Sequence, residues 1–235
     1  MLISIIRNKV FWSVLIIIKL TIFYFFGVQL MPDSSSYIEL SEDIEKEIST
    51  IFQFEDKSRM IGYPLIIYLL KLISTDNWLN LIGVLQLTFS VFTLFYIDKT
   101  LKKLEISSLS SRLIIVIFTF STINKLDLLL LTDSIYGNLL ILIFCNFFLI
   151  LKEKKKKEII NHCIKIGLLL SLSFLIKDTT VIILPIFLLF FSFIIIKYFK
   201  RKLNLKNCFF CFFLIFLPTI TISEIIKYNN YVKNN

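Results

Sequence analysis

The chain has 235 residues, of which 57% are hydrophobic, and it carries a formal net charge of +9. A soluble domain of this length cannot enclose so much apolar surface, so the composition excludes a soluble globular protein. The apolar runs are long and uninterrupted, which predicts membrane-spanning helices, whereas a transmembrane barrel shows short alternating segments.

Seven apolar segments follow one another along the chain, and each is predicted to cross the membrane as a helix. The first has no small-residue cleavage site, so it is interpreted as an uncleaved anchor rather than a signal peptide. The prediction is therefore one all-α transmembrane domain that occupies residues 1–235. Its spans are residues 10–30, 78–97, 108–123, 134–151, 163–176, 180–196 and 208–226.

Lysine and arginine collect in the loops on one side of these spans, and the run Lys152–Lys157 is the densest example. Because cytoplasmic loops are enriched in Lys and Arg, this distribution predicts a multi-pass cell-membrane protein whose N-terminus is cytoplasmic. The same cations are expected to contact anionic membrane lipids, so no nucleic-acid partner is predicted. His162 lies beside the basic run and is expected to be solvated or at the headgroups.

One loop is long, and it occupies residues 31–58 on the predicted outer side. Its apolar residues recur at steps of three and four, which places them on one face of a helix with acidic residues opposite. The loop is therefore predicted to hold an amphipathic helix that lies along the outer membrane surface. The apolar residues in question are Tyr37, Leu40, Ile44, Ile48 and Ile51.

The predicted topology sends four charged residues, well separated in sequence, to this outer side: Asp33, Arg59, Asp133 and Lys177. Charges close to the hydrocarbon are costly, so their convergence predicts a site for a phosphate-bearing amphiphile. Arg59 and Lys177 would hold phosphate, the first by its planar fork and the second as a point charge. A carboxylate would act as general base toward a hydroxyl, or would bind a divalent metal ion, with Asp33 the candidate ligand.

Short motifs recur along the chain in a fixed order: Asp33-Ser-Ser-Ser-Tyr37, Arg59-Met-Ile-Gly-Tyr-Pro64-Leu65, Leu131-Thr-Asp133-Ser-Ile-Tyr136 and GLLLSLSFLIKDTTVIILP at residues 167–185. This series resembles the GT-C superfamily of membrane glycosyltransferases, in particular its protein-mannosyltransferase-like and aminoarabinose-transferase-like branch. The resemblance covers nearly the whole chain, and it is carried by the series rather than by any one motif.

The resemblance implies an outward-facing site that moves a sugar from a polyprenyl-phosphate donor to an acceptor hydroxyl. Asp33 matches the first-loop aspartate of that family, which is expected to act as base or to position the acceptor and a metal ion. Asp133 stands where the family usually has Glu, so it keeps the charge with a reach one methylene shorter. The positions matched to substrate contacts are Arg59 and Lys177, near the donor phosphate, together with Tyr37 and Tyr63.

The chain also departs from that family. Many members carry paired acids in the first loop, whereas three serines follow Asp33 here. The family commonly continues beyond a seventh span with more helices and an outer domain, and on this resemblance the C-terminal region is expected to be missing here. Two other functions therefore stay open, namely a truncated or degenerate non-catalytic membrane protein and a transporter for a lipid-linked glycan.

Each of these four charged residues could also have a purely structural role. Asp33 would cap the amphipathic helix, and Asp133 would complement a helix dipole. Arg59 would anchor a helix end by snorkelling, and Lys177 would be a plain turn residue. Lys19 lies within the first span and is expected to face the bundle or to snorkel.

Overall fold

The computed structural model describes residues 2–46, 60–121 and 126–180, together with single residues and short runs between 182 and 224. Within these residues the fold is helical and contains no strand, which confirms the predicted all-α class. The helices are α1 (Leu2–Phe26), α2 (Ser34–Lys46), α3 (Gly62–Ile73), α4 (Trp78–Lys103), α5 (Ser108–Phe120), α6 (Thr132–Lys152) and α7 (Lys156–Ile176), with a 3₁₀ turn at Leu126–Leu128.

Four of the described helices are long and apolar enough to cross a membrane: α4, α6, α7 and the Lys9–Phe26 part of α1. The predicted third span, at residues 108–123, is the shorter helix α5, and α3 is a further short apolar helix. The predicted spans at 180–196 and 208–226 lie largely outside the described residues. The structure therefore accounts for four of the seven predicted spans.

The first helix ends at Phe26, four residues before the predicted end of the first span. Gly27 adopts a φ of +58°, a left-handed conformation that glycine tolerates and that stops a helix. The chain then pairs with the turn before α6: the Gln29 N–H donates to the Leu128 carbonyl at 2.7 Å, and the Leu130 N–H donates to the Gln29 carbonyl at 3.0 Å. The prediction of helix to residue 30 is wrong because these backbone bonds take the place of helical ones.

Helix α6 is the centre of the bundle and packs most extensively against α7 and α4. In the membrane-crossing stretch of α6, 67% of the residues are buried inside the protein, whereas in that of α1 only 17% are buried. Helix α1 is thus the peripheral member, and most of its apolar side chains face outward. A membrane protein can leave such a helix exposed because lipid is as apolar as the side chains themselves.

The amphipathic helix predicted in the long loop is present as α2, over Ser34–Lys46. Tyr37 and Ile44 are buried, as the three-and-four periodicity indicates. This face packs against α3, and Lys71 of α3 lies 3.5 Å from Glu42 of α2. The apolar side of α2 therefore packs against another helix, whereas the sequence predicted that it lies on the membrane surface.

The antiparallel course of α6 and α7 separates basic residues from the predicted site residues. Their connection lies at the basic end, where Lys152 is 3.2 Å from Glu105. There the Glu153 carboxylate accepts the backbone N–H groups of Lys154 and Lys155, which hold the pKa of Glu153 below its usual value. The start of α6 and the end of α7 lie together at the other end of the bundle.

Candidate functional site

An ion pair at this other end joins two residues that the sequence assigned to the site. Asp133 lies in the first turn of α6, and Lys177 directly follows α7. Lys177 Nζ is 2.5 Å from Asp133 Oδ1, and it also lies 5.7 Å from the centroid of the Tyr136 ring. The side chains of the pair are 28% and 37% exposed, so both charges remain accessible to a ligand.

Hydrogen bonds of the backbone fix the position from which the Lys177 side chain extends. Its N–H donates to the Ser173 carbonyl as the last bond of α7, and its own carbonyl accepts the N–H and the hydroxyl of Thr180. These bonds turn the chain sharply after the helix, as the motif at residues 167–185 indicates. The ammonium group is therefore presented from a defined turn rather than from a free loop.

Two tyrosines predicted to contact substrate lie next to each other, beside the start of α6. The rings of Tyr37 and Tyr63 meet edge to face, with centroids 5.3 Å apart. The Tyr37 hydroxyl is 3.4 Å from Oγ1 of Thr132, the residue before Asp133, and Gln86 Nε2 donates to the Tyr63 hydroxyl at 3.0 Å. Both tyrosines are buried, so in this structure they join α2, α3 and α4 to the start of α6. Their predicted contact with substrate stays a prediction.

Asp33 is exposed and directly precedes α2, which is the position that the capping interpretation also gives it. The neighbouring residue holds this segment in place: Ser34 Oγ accepts the Met31 N–H and donates to the Leu130 carbonyl, both at 2.8 Å. Asp33 is thereby anchored to the turn that leads into Asp133. Arg59, the remaining predicted phosphate ligand, lies outside the described residues.

The turn at residues 129–131 is held from several sides by polar groups that sequence reasoning missed. Gln29 pairs with its backbone, and Gln86 Nε2 lies 3.2 Å from the Leu129 carbonyl and 3.3 Å from the Leu131 carbonyl. Gln86 stands within the predicted span at residues 78–97, and a polar residue at that depth was the available signal. These contacts make the approach to Asp133 a fixed piece of backbone.

Lys19 of α1 faces the bundle close to this turn. This is one of the two orientations predicted for it. Its Nζ is 3.0 Å from Asp127 Oδ2 and donates to Ser90 Oγ at 2.9 Å. Asp127 Oδ1 accepts the Ser134 hydroxyl at 2.7 Å. The ion pair borders a cavity of about 440 Å³ whose walls include Ile22, Phe26, Leu87, Phe120 and Leu128.

The prediction that His162 is solvated is wrong. Helix α7 begins at Lys156 rather than at residue 163, so His162 lies on the packed side of the helix and is only 4% exposed. Its Nδ1 is 2.8 Å from Asn146 Oδ1, which also accepts the Tyr96 hydroxyl at 2.9 Å. This cluster is at the basic end of the bundle, away from Asp133.

Among the residues that the structure describes, no group of three or more His, Cys, Asp or Glu side chains could hold a metal ion. A metal ion at Asp33 stays a prediction of the sequence. Cys145 and Cys163 are buried and form no disulfide, while Cys208 and Cys211 lie outside the described residues.

No family model, no curated protein and no solved structure matches this chain.

Proposed function

We propose that this protein is a membrane glycosyltransferase that moves a sugar from a polyprenyl-phosphate donor to an acceptor hydroxyl on the outer side of the membrane. The observation that carries the proposal is the meeting of four motif residues from distant parts of the chain. Asp133 pairs with Lys177, while Tyr37 contacts both Tyr63 and the residue before Asp133. Such convergence is what a site for one substrate requires.

The ion pair supplies two groups that the reaction needs. Lys177 offers a point charge to the donor phosphate, whose negative charge grows as the bond to the sugar breaks. A phosphate that takes the ammonium group leaves the Asp133 carboxylate without its cation, and a carboxylate in that state is a better proton acceptor. Donor binding would therefore prepare the base.

In the proposed reaction the acceptor oxygen forms a bond to the anomeric carbon, and the bond from that carbon to the phosphate oxygen breaks. The acceptor proton passes to a carboxylate, Asp133 or Asp33, and the phosphate leaves on its lipid. Long apolar helices keep such a site within reach of a lipid-borne donor. The seven-span topology with a cytoplasmic N-terminus belongs to the same proposal, because it puts this end of the bundle outside.

Removal of each carboxylate tests the proposal. We expect Asp33→Asn and Asp133→Asn each to slow sugar transfer in vesicles by about 100-fold or more, the range that a general base contributes. The matched control is Asp43→Asn, because Asp43 is a partly exposed carboxylate on α2, the helix that follows Asp33, and lies 3.7 Å from Lys46 of the same helix.

The vesicles would carry a radiolabelled polyprenyl-phosphate sugar and a panel of hydroxyl acceptors. Unchanged transfer in Asp33→Asn alone would remove that residue from catalysis and leave Asp133 as the base. No transfer by the unaltered chain, or full transfer by both variants, would overturn the proposal in favour of a transporter or a non-catalytic protein.

A further inference from the structure

A buried ion pair joins the peripheral helix α1 to the centre of the bundle. The side chains of Lys19 and Asp127 are 6% and 3% exposed, and their charged atoms are 3.0 Å apart. Removing two charges from water is costly, and apolar residues of similar volume often stabilise a protein equally well. In a chain this apolar, the pair therefore calls for a role other than stability.

The second carboxylate oxygen of Asp127 points to that role. Oδ1 accepts the hydroxyl of Ser134 at 2.7 Å, and Ser134 directly follows Asp133 in the first turn of α6. One carboxylate thus holds α1 through Lys19 and holds α6 through Ser134. Ser134 is 1% exposed, so this bond is shielded from competition by solvent.

Successive residues of a helix point about 100° apart, so Ser134 faces the interior while Asp133 turns toward Lys177. A rotation of α6 by about 20° would move a group at its outer radius of roughly 5–6 Å by about 2 Å. Such a shift exceeds the tolerance of the ion pair between Asp133 and Lys177. The bond to Ser134 therefore adds a restraint on the rotation of α6 and on the direction of the Asp133 carboxylate.

We infer that the buried Lys19–Asp127 pair is a positioning device for Asp133 and acts through the hydroxyl of Ser134. The catalytic consequence rests on the proposed function, while the geometric consequence does not. Lys19 and Asp127 touch no reacting atom in this arrangement, and they are positioning residues.

The variant Ser134→Ala tests the inference because it cuts the bond to α6 and leaves the buried charges paired with each other. The geometric readout is zero-length carbodiimide coupling of Asp133 to Lys177 in membranes, measured by peptide mass spectrometry. We expect the coupled fraction to fall several-fold in Ser134→Ala and to recover in Ser134→Thr, which restores the hydroxyl. The matched control is Ser41→Ala, because Ser41 is fully buried and its hydroxyl donates to the Ile38 carbonyl of its own helix.

The kinetic readout separates positioning from binding. We expect Ser134→Ala to lower kcat for sugar transfer about tenfold with little change in the KM for the donor, since a misplaced catalytic group affects the transition state. Ser41→Ala should match the unaltered chain in kcat and in coupling. Where Ser134→Ala does not yield folded protein, Ser134→Cys, a weaker donor, replaces it with the same expected direction.

The two proposals fail in different ways. Unchanged coupling in a folded Ser134 variant overturns the positioning inference, whatever the transfer activity. Reduced coupling in that variant supports the inference even if Asp33→Asn and Asp133→Asn transfer sugar normally, in which case it is the proposed function that is overturned.

Discussion

Lys177 Nζ and Asp133 Oδ1 lie 2.5 Å apart although 44 residues separate them in the chain. The two groups neutralise each other at this end of the bundle, so under the proposed function a donor phosphate would compete with the Asp133 carboxylate for the Lys177 ammonium group. In that case the strength of donor binding would depend on how well a phosphate replaces Asp133 as the partner of Lys177.

This competition predicts the effect of changing Lys177. Hydrogen bonds to charged groups contribute about 1.5–3 kcal/mol, so Lys177→Gln should lower kcat/KM for the donor roughly 10- to 100-fold. Lys177→Arg keeps the charge and should retain most of the activity. Steady-state transfer over a range of donor concentrations measures both variants, and Lys154→Gln, at the basic end, is the control. A Lys177→Gln variant with the KM and kcat of the unaltered chain would show that Lys177 binds no phosphate.

Gly62, the first residue of α3, lies against the backbone at the end of α7. A Cβ atom on residue 62 would lie 2.6 Å from the Leu175 carbonyl oxygen, and this backbone has no rotamer with which to move away. Gly62→Ala should therefore lower the free energy of unfolding by about 1–3 kcal/mol, as overpacking does elsewhere.

Gly83 is the comparison for this prediction, because a Cβ atom there meets the side chains of Val28 and Phe23 rather than backbone atoms. Gly83→Ala should cost less than Gly62→Ala in thermal unfolding in detergent. Equal costs would mean that the contact between α3 and α7 yields easily. Since Tyr63 follows Gly62, we also expect the contact of Tyr63 with Tyr37 to loosen in Gly62→Ala.

The buried pair predicts a pronounced asymmetry between single and double variants. Lys19→Met leaves the Asp127 carboxylate buried without its cation and should destabilise the protein by about 3–5 kcal/mol. Lys19→Met combined with Asp127→Leu removes both charges and should recover most of that loss. Unfolding of the single and double variants in mixed micelles gives the coupling energy. A double variant no more stable than Lys19→Met would contradict this account of the pair.

The charge distribution predicts the orientation of the whole bundle. In a cysteine-free background, Ser35→Cys should react with a membrane-impermeant maleimide in intact cells, because Ser35 lies at the end that carries Asp33. Lys155→Cys should react only after the membrane is permeabilised. Both positions are exposed in the structure, so reactivity reports sidedness rather than burial. The opposite pattern would invert the topology and move the site to the cytoplasm.

Features written into local sequence could be predicted, and α2 is the clearest example. The steps of three and four at Tyr37, Leu40 and Ile44 specify one helical face, whatever that face packs against. The long apolar runs of α4, α6 and α7 likewise specify helices by themselves. Their approximate positions followed from composition, while the early start of α7 at Lys156 did not, because a charged first turn looks like loop.

Pairings across the bundle could not be predicted, because no local pattern encodes them. Lys19 and Asp127 are 108 residues apart, and only the packed helices show that each is the partner of the other. The burial of His162 depends in the same way on Asn146 of a neighbouring helix. For the site, sequence order indicated that Asp133 and Lys177 share an end of the bundle, but not that they form an ion pair.

The two-residue bridge between Gln29 and Leu129 gives the molecule a property that its helices alone would lack. A sparsely packed helix such as α1 adjusts its tilt when the bilayer becomes thicker or thinner. The backbone bonds of Gln29 and the hydroxyl of Ser34 tie the segment carrying Asp33 to the turn leading into Asp133. When α1 tilts, Asp33 should therefore stay with the turn before Asp133, and we expect the spacing between the two acids to be independent of the thickness of the surrounding lipid.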